Sequence, residues 1–196
     1  GDLRKIGNSS PRYHYGINFS ANWNGIDFAV FFQGVGKIDW MPSANCYYFW
    51  GPYSFPTTTF IAKDFERLAW SEDNRNTYFP RRRSYQTSSA GSMNVKTDRY
   101  LQDASYIRLK NITVDYTFPK HICKKLRIEG LKIYVSGENL FTHSPMFKYT
   151  DMFDPEVITS GDSDFASTQK SGLGGTGNGY SYPMLKTVTL GVNVTF

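Results

Sequence analysis

An alternation constrains this chain more than any other feature. Tyr13, Tyr15, Ile17, Phe19, Ala21 and Trp23 stand at every second position, with Arg12, His14, Gly16, Asn18, Ser20 and Asn22 between them. Side chains of a strand point alternately to its two faces, so this spacing predicts a strand over 12–23 with one apolar and one polar face. Asn24-Gly25 follows, the dipeptide of a two-residue hairpin turn. Ile26, Phe28, Val30 and Phe32 then resume the pattern to about Lys37, although Ala29 and Phe31 make the second face less polar. A protein core and the hydrocarbon of a bilayer would both accept such a face.

Further strands are predicted at 100–118, 131–141 and 187–196. In the first of these, Ile107 and Leu109 are odd-numbered while Ile112, Val114, Tyr116 and Phe118 are even. The switch near Lys110-Asn111 predicts a β-bulge, one extra residue that re-aims the face. Leu131, Ile133 and Val135 alternate in the next strand, and Val188, Leu190, Val192, Val194 and Phe196 in the last. PKHICKKLRIEG, residues 119–130, is a short basic connection with room for one helical turn. Residues 38–99 lack sustained periodicity, and only Ile61, Phe65 and Leu68 suggest a short amphipathic helix over 61–70. Residues 142–181 form a second long loop, acidic and then Gly-rich. Loops of this length are usually functional.

The connections therefore run short, long, short, long, and antiparallel neighbours place both short turns at one end of the sheet. Outer-membrane barrels show that asymmetry, with short periplasmic turns and long extracellular loops. Strand one also carries aromatics at both ends of its apolar row. Ten residues at about 3.3 Å each, tilted about 40°, project to roughly 25 Å, the height of the apolar band between aromatic girdles. Turning the strand over would present Arg12 to lipid, at about 2–4 kcal/mol near the midplane. The last strand ends on an aromatic residue, Phe196. The expected fold is all-β: about five antiparallel strands forming the C-terminal part of a transmembrane β-barrel. Five strands cannot close a barrel, which in one bacterial chain takes about eight or more, and open edges are not tolerated in lipid. The chain starts at Gly1 with no visible signal peptide, so either its start was removed or it is a piece of something longer, and the strand count leads to the expectation of a fragment. The alternative is a soluble β-sandwich carbohydrate-binding module, with the alternating face as an ordinary core.

Composition narrows the classes. Aromatic residues are 17% of the chain, which favours strands. No apolar run approaches the roughly 20 residues of a spanning helix. The net charge of +5 is scattered, apart from Arg81, Arg82 and Arg83, and lacks the basic face of a nucleic-acid binder. No nucleic-acid partner is expected.

Several segments together resemble a known family. They are IGNSSPRYHYGINFSANWNGIDFAVFFQGVGKIDW (6–40), FWGPYS (49–54), WSEDNRNTYFPR (70–81), YLQDASYIRLKNITVDYTFPK (100–120), LKIYVSGENLF (131–141), FDPE (153–156) and YPMLKTVTLGVNVTF (182–196). In this order they resemble the C-terminal end of SusC/RagA-type TonB-dependent transporters of the Bacteroidetes outer membrane. WSEDNRNTYFPR departs from the family pattern in lacking its usual Pro. The resemblance implies a barrel of about 22 strands with a plugged lumen. Residues 1–196 would be the C-terminal segment of that barrel domain, with the plug and N-terminal strands outside it. It also implies import of an oligosaccharide or peptide across the cell outer membrane. The implied partners are a SusD-like surface lipoprotein, outer-membrane lipid, and TonB-ExbB-ExbD engaged through regions not in this sequence.

Candidate contacts for substrate or partner are the loop aromatics Trp40, Tyr47, Tyr48, Trp50 and Tyr53, whose flat amphipathic rings suit sugar stacking or a SusD-like lid; loop packing is the plainer reading. Asp151, Asp154, Glu156, Asp162 and Asp164 lack the spacing of a calcium loop and read as solvated carboxylates. GLGGTGNG (172–179) follows no strand and opens no helix, so it reads as a loop tip rather than a nucleotide site. His14, His121 and His143 are isolated, and no nucleophile or acid–base pair is marked. No enzyme activity, cofactor or metal is expected. Cys46 falls in an outer loop and Cys123 in a short turn, so no disulfide is expected between them.

Overall fold

Asn24 and Gly25 both adopt positive φ, 51° and 82°, which is the geometry of a twist-matched two-residue turn. They join β1 (Tyr13–Trp23) to β2 (Ile26–Gly36) in an uninterrupted antiparallel ladder from Tyr13↔Gly36 to Trp23↔Ile26. This computed structural model describes residues 4–44, 46–54, 61–63, 65–87, 93, 95–158 and 182–196. The chain divides into two compact units.

The first unit holds Arg12–Gly36, Tyr106–His143 and Met184–Phe196. Its long strands are β1, β2, β7 (Tyr106–Thr117), β8 (Gly130–His143) and β9 (Thr187–Thr195), in the order β1-β2-β7-β8-β9. Every neighbouring pair is antiparallel. The β7–β8 connection carries a six-residue helix, α3 (Lys120–Lys125), opened by Pro119. Pro fits there because the first helical N–H groups have no intrahelical partner. Both short turns lie at one end of the sheet, and the chain leaves and re-enters at the other, as the spacing of the pattern predicts.

The bulge is where the parity switch puts it. Phe31 pairs with Asn111 and Phe32 with Leu109, so Lys110 is the extra residue against β2. On the other side Leu109 pairs with Phe141 and Asn111 with Glu138, so Asn139 and Leu140 face Lys110. Asn139 takes a positive φ of 53° and its amide donates to the Leu185 carbonyl at 3.1 Å. Asn tolerates this left-handed backbone better than most residues.

The second unit holds Gly1–Pro11, Lys37–Ser105 and Ser144–Pro183. It contains β3 (Asp39–Trp40) paired with β6 (Gln102–Asp103), and β4 (Ala69–Trp70) paired in parallel with β5 (Phe79–Arg81). Two one-turn helices, α1 (Tyr47–Trp50) and α2 (Phe65–Leu68), complete its regular structure with short 3₁₀ turns at Gly51–Tyr53 and Pro145–Lys148. Two expectations are corrected here. The strand expected over 100–118 is broken, because the Asp103 carboxylate accepts the Ser105 N–H at 2.9 Å and turns the chain before Tyr106. The helix expected over 61–70 amounts to one turn, since Ala69 and Trp70 enter a strand ladder instead.

Aromatic packing forms the core of this unit. Phe49 meets Trp50 edge-on with centroids 4.8 Å apart, Trp50 meets Tyr100 at 5.1 Å, and Phe79 stacks on Phe65 at 5.5 Å. Such edge-to-face and offset pairs each add about 0.5–1.5 kcal/mol beyond the area they bury.

Candidate functional site

The sheet carries one continuous apolar face. Across the five long strands the register aligns Ala21, Phe28, Val114, Val135 and Leu190 in one row. The next row is Trp23, Ile26, Tyr116, Ile133 and Val192. The bulge lets Phe32, Leu109 and Phe141 continue the same face past Lys110. At Gly137 the side chain of Leu140 folds over the missing Cβ, so that gap in the face is filled. These side chains are not covered: Trp23 is 75% exposed, Leu190 72% and Val188 70%. Moving each from water into an apolar medium is worth about 1.5–3 kcal/mol. In a sandwich a second sheet would bury this face, and among the described residues none does. The face is suited to hydrocarbon.

The opposite face is polar. Rows of Asn22, Asp27, Asp115 and Tyr134, and of Ser20, Ala29, Thr113, Ser136 and Thr189, follow from the same register. Near the short turns the Lys132 ammonium lies 2.8 Å from Asp115 and 3.9 Å from Asp27, and the Asn22 amide donates to Asp27. Farther along, Arg108 is buried, donates to Thr142 Oγ1 at 2.8 Å and lies over the Tyr106 ring. Hydrogen-bonded charge on one face and bare aliphatic surface on the other is the division expected of a wall between lumen and lipid.

In the loop unit the sequence-expected contacts separate by burial. Trp40 and Trp50 are 1% exposed and Tyr53 is 0%. Trp50 Nε1 donates to the Ser43 carbonyl at 2.7 Å, and the Tyr53 hydroxyl donates to the Pro80 carbonyl at 2.5 Å. Burial pushes the Tyr53 phenol up to about 12 and raises Tyr78 as well. These three rings are packed as core, so an external ligand cannot stack on them without opening the unit. Tyr47 is half-buried and Tyr48 is exposed.

Tyr48 borders a cavity of about 320 Å³. Phe49, Phe65, Leu68 and Phe79 give it an apolar floor, and Lys63, Arg67 and Lys148 stand on its rim with Asp151. Sequence reading missed this cluster because its members come from separate stretches, 48–49, 62–68, 79 and 147–152, and follow no period.

The remaining candidates sit as follows. Asp154 closes a turn, its carboxylate accepting the Glu156 N–H at 2.9 Å, and Asp151 is exposed. Asp162, Asp164 and the stretch 172–179 lie outside the described residues. Among the described residues no three His, Cys, Asp or Glu side chains gather as metal ligands do. His14 and His143 lie in β1 and β8, and His121 in α3. Cys46 and Cys123 are free and buried, and burial pushes the Cys46 thiol up to about 12.

No protein-family model matches the chain. The whole chain aligns with two proteins of Formosa agariphila. One is TonB-dependent receptor P3, at 30% identity over 199 residues; the other is TonB-dependent receptor P26, at 28% over 207 residues. The chain spans 17% and 18% of their respective lengths. The RagAB peptide importer shares its fold. In the 'closed-closed' state the TM-score is 0.62 with 23% identity, covering 98% of this chain and 18% of that one. In the 'open-open' state it is 0.59 with 21% identity, covering 96% and 17%.

Proposed function

Because this chain is similar along its whole length to TonB-dependent receptors, and shares the fold of part of the RagAB peptide importer, we propose that it is the C-terminal wall segment of a transporter importing nutrients across the outer membrane. The observation that carries this reading is the exposed apolar face with a hydrogen-bonded polar face behind it. β1 and β9 each keep one unpaired edge in the sheet of described strands, and further strands of the same barrel would satisfy both.

The cargo is an oligosaccharide or a peptide, and the likeness to the RagAB peptide importer supports the second. A SusD-like surface lipoprotein works with the loops, and TonB-ExbB-ExbD drives transport through regions outside this chain. Of the expected aromatic contacts, Tyr48 and Tyr47 reach the surface of the loop unit, with Trp40, Trp50 and Tyr53 holding the loops in shape behind them. The likeness to TonB-dependent receptors supports reading the protein as a transporter rather than an enzyme.

The test is to fractionate native cells and compare mobility on gels before and after boiling. Outer-membrane recovery with heat-modifiable mobility is the expected result. Monodisperse folded protein in detergent-free buffer would overturn the reading.

A further inference from the structure

We propose that the loop unit holds a binding site for a small anionic ligand, in the cavity between α2 and residues 147–152. The cavity volume, about 320 Å³, is at the lower end of small-molecule sites. Its floor is built from side chains held rigidly: Phe49 and Phe65 are 4% exposed and Phe79 is 2%. Among the described residues, the rim carries Lys63, Arg67 and Lys148 with the carboxylate of Asp151.

Three cations with one anion among the described residues leave a positive rim. The nearest acid on the same helix, Glu66, is already engaged by both terminal nitrogens of Arg82, at 2.8 and 3.1 Å. Among the described residues, none of Lys63, Arg67 and Lys148 forms an ion pair. The Lys148 ammonium lies 5.2 Å from the Tyr149 ring centroid, which holds it beside a flat aromatic surface. A positive rim over an apolar floor selects a ligand with a carboxylate or sulfate at one end and a compact ring or chain at the other. An acidic sugar and an acidic peptide end share that chemistry. The site deepens the importer reading, on which its role in cargo capture rests, but its binding chemistry stands on the cavity alone.

Calorimetry on the full-length protein in detergent tests it, with digalacturonate and triglutamate as probes and digalactose and triglutamine as neutral controls. At least one anionic probe is expected to bind, with its neutral control about 10-fold weaker or more, since the control loses a charge-assisted hydrogen bond. Arg67→Gln and Lys148→Gln should each weaken the anionic probe about 10-fold, and Lys148→Glu more. Which probe binds separates the two ligand sources. Gel mobility and membrane fractionation confirm that each exposed-site variant is folded and inserted. Failure of both probes, equal binding of the neutral controls, or binding unaffected by the substitutions would overturn the site. Anion binding by a protein absent from the outer membrane would keep the site and remove the importer reading.

Discussion

Tyr15 crosses the strand beside it: its ring lies over Gly34, its cross-strand partner, and its hydroxyl donates to the Tyr106 carbonyl one strand farther on at 3.0 Å. A Cβ at Gly34 would lie against Cζ, the hydroxyl oxygen and Cε2 of Tyr15, closer than such atoms approach. Gly34 is therefore required by the ring above it rather than by its own backbone. Gly34→Ala should displace Tyr15 and lower stability by about 1–3 kcal/mol, the usual cost of overpacking. Tyr15→Phe keeps the ring and should lose only about 1 kcal/mol. The temperature at which the folded gel band converts to the unfolded one ranks the two variants, and equal loss would disprove the steric account. Tyr134 over Gly191 repeats the arrangement at the other side of the sheet.

The two faces of β8 predict opposite outcomes for neighbouring substitutions. Val135 is on the apolar face and Ser136 on the polar one. Val135→Arg should cost about 2–4 kcal/mol if that face meets the bilayer midplane, and Ser136→Arg much less. Assembly yield in outer membranes is the measurement. Similar yields for both variants would reject the assignment of the faces.

Lys132 stands between two carboxylates, and its side chain is 40% exposed. Because solvent screens such pairs, Lys132→Met should lower stability only slightly. Adding Asp115→Asn should recover part of the loss by removing unpaired charge. The conversion temperatures of the single and double variants test this, and purely additive losses would show that the pair is not coupled.

Trp50 and Tyr48 should behave differently although they are two residues apart. Trp50→Ala removes a ring that is 1% exposed and should cost about 3–5 kcal/mol. Tyr48→Ala should leave the fold intact and act on ligand capture. Limited proteolysis of the loop unit distinguishes them, with cleavage expected only in the Trp50 variant.

Tyr53 gives the loop unit a pH limit. Its folded pKa is raised from 10.0 to about 12 by burial, so the folded state holds its proton where the unfolded chain releases it. Its contribution is complete below about pH 10 and is lost as pH rises from there towards 12. Near-UV circular dichroism should show the loop unit loosening over that window, with a shallower fall in Tyr53→Phe. An identical pH profile in that variant would exclude Tyr53 as the source.

The long strands were legible because each repeats one rule. Alternation from Tyr13 to Trp23, the Asn24-Gly25 turn and the parity switch at Lys110 specify strand, hairpin and bulge from neighbours in sequence alone. The loop unit followed no such rule. In sequence Trp40, Trp50 and Tyr53 could be binding aromatics or, more plainly, loop packing, because nothing local tells a buried ring from an exposed one. Their role depends on Phe79, Tyr100 and Phe153, which reach them from distant segments. The same separation hid the Lys63, Arg67 and Lys148 cluster, and the turn at Asp103 broke a strand that periodicity alone would have run through.

The sequence by itself determined which residues form the long strands, where they turn, and that each has one apolar side, since a period of two follows from backbone geometry. Only the tertiary structure decided that these sides join into one uncovered face, that the loop aromatics turn inward, and that three cations meet over an apolar cavity. Each of those depends on register and long-range packing, where residues far apart in the chain are brought together by contacts that no local pattern encodes.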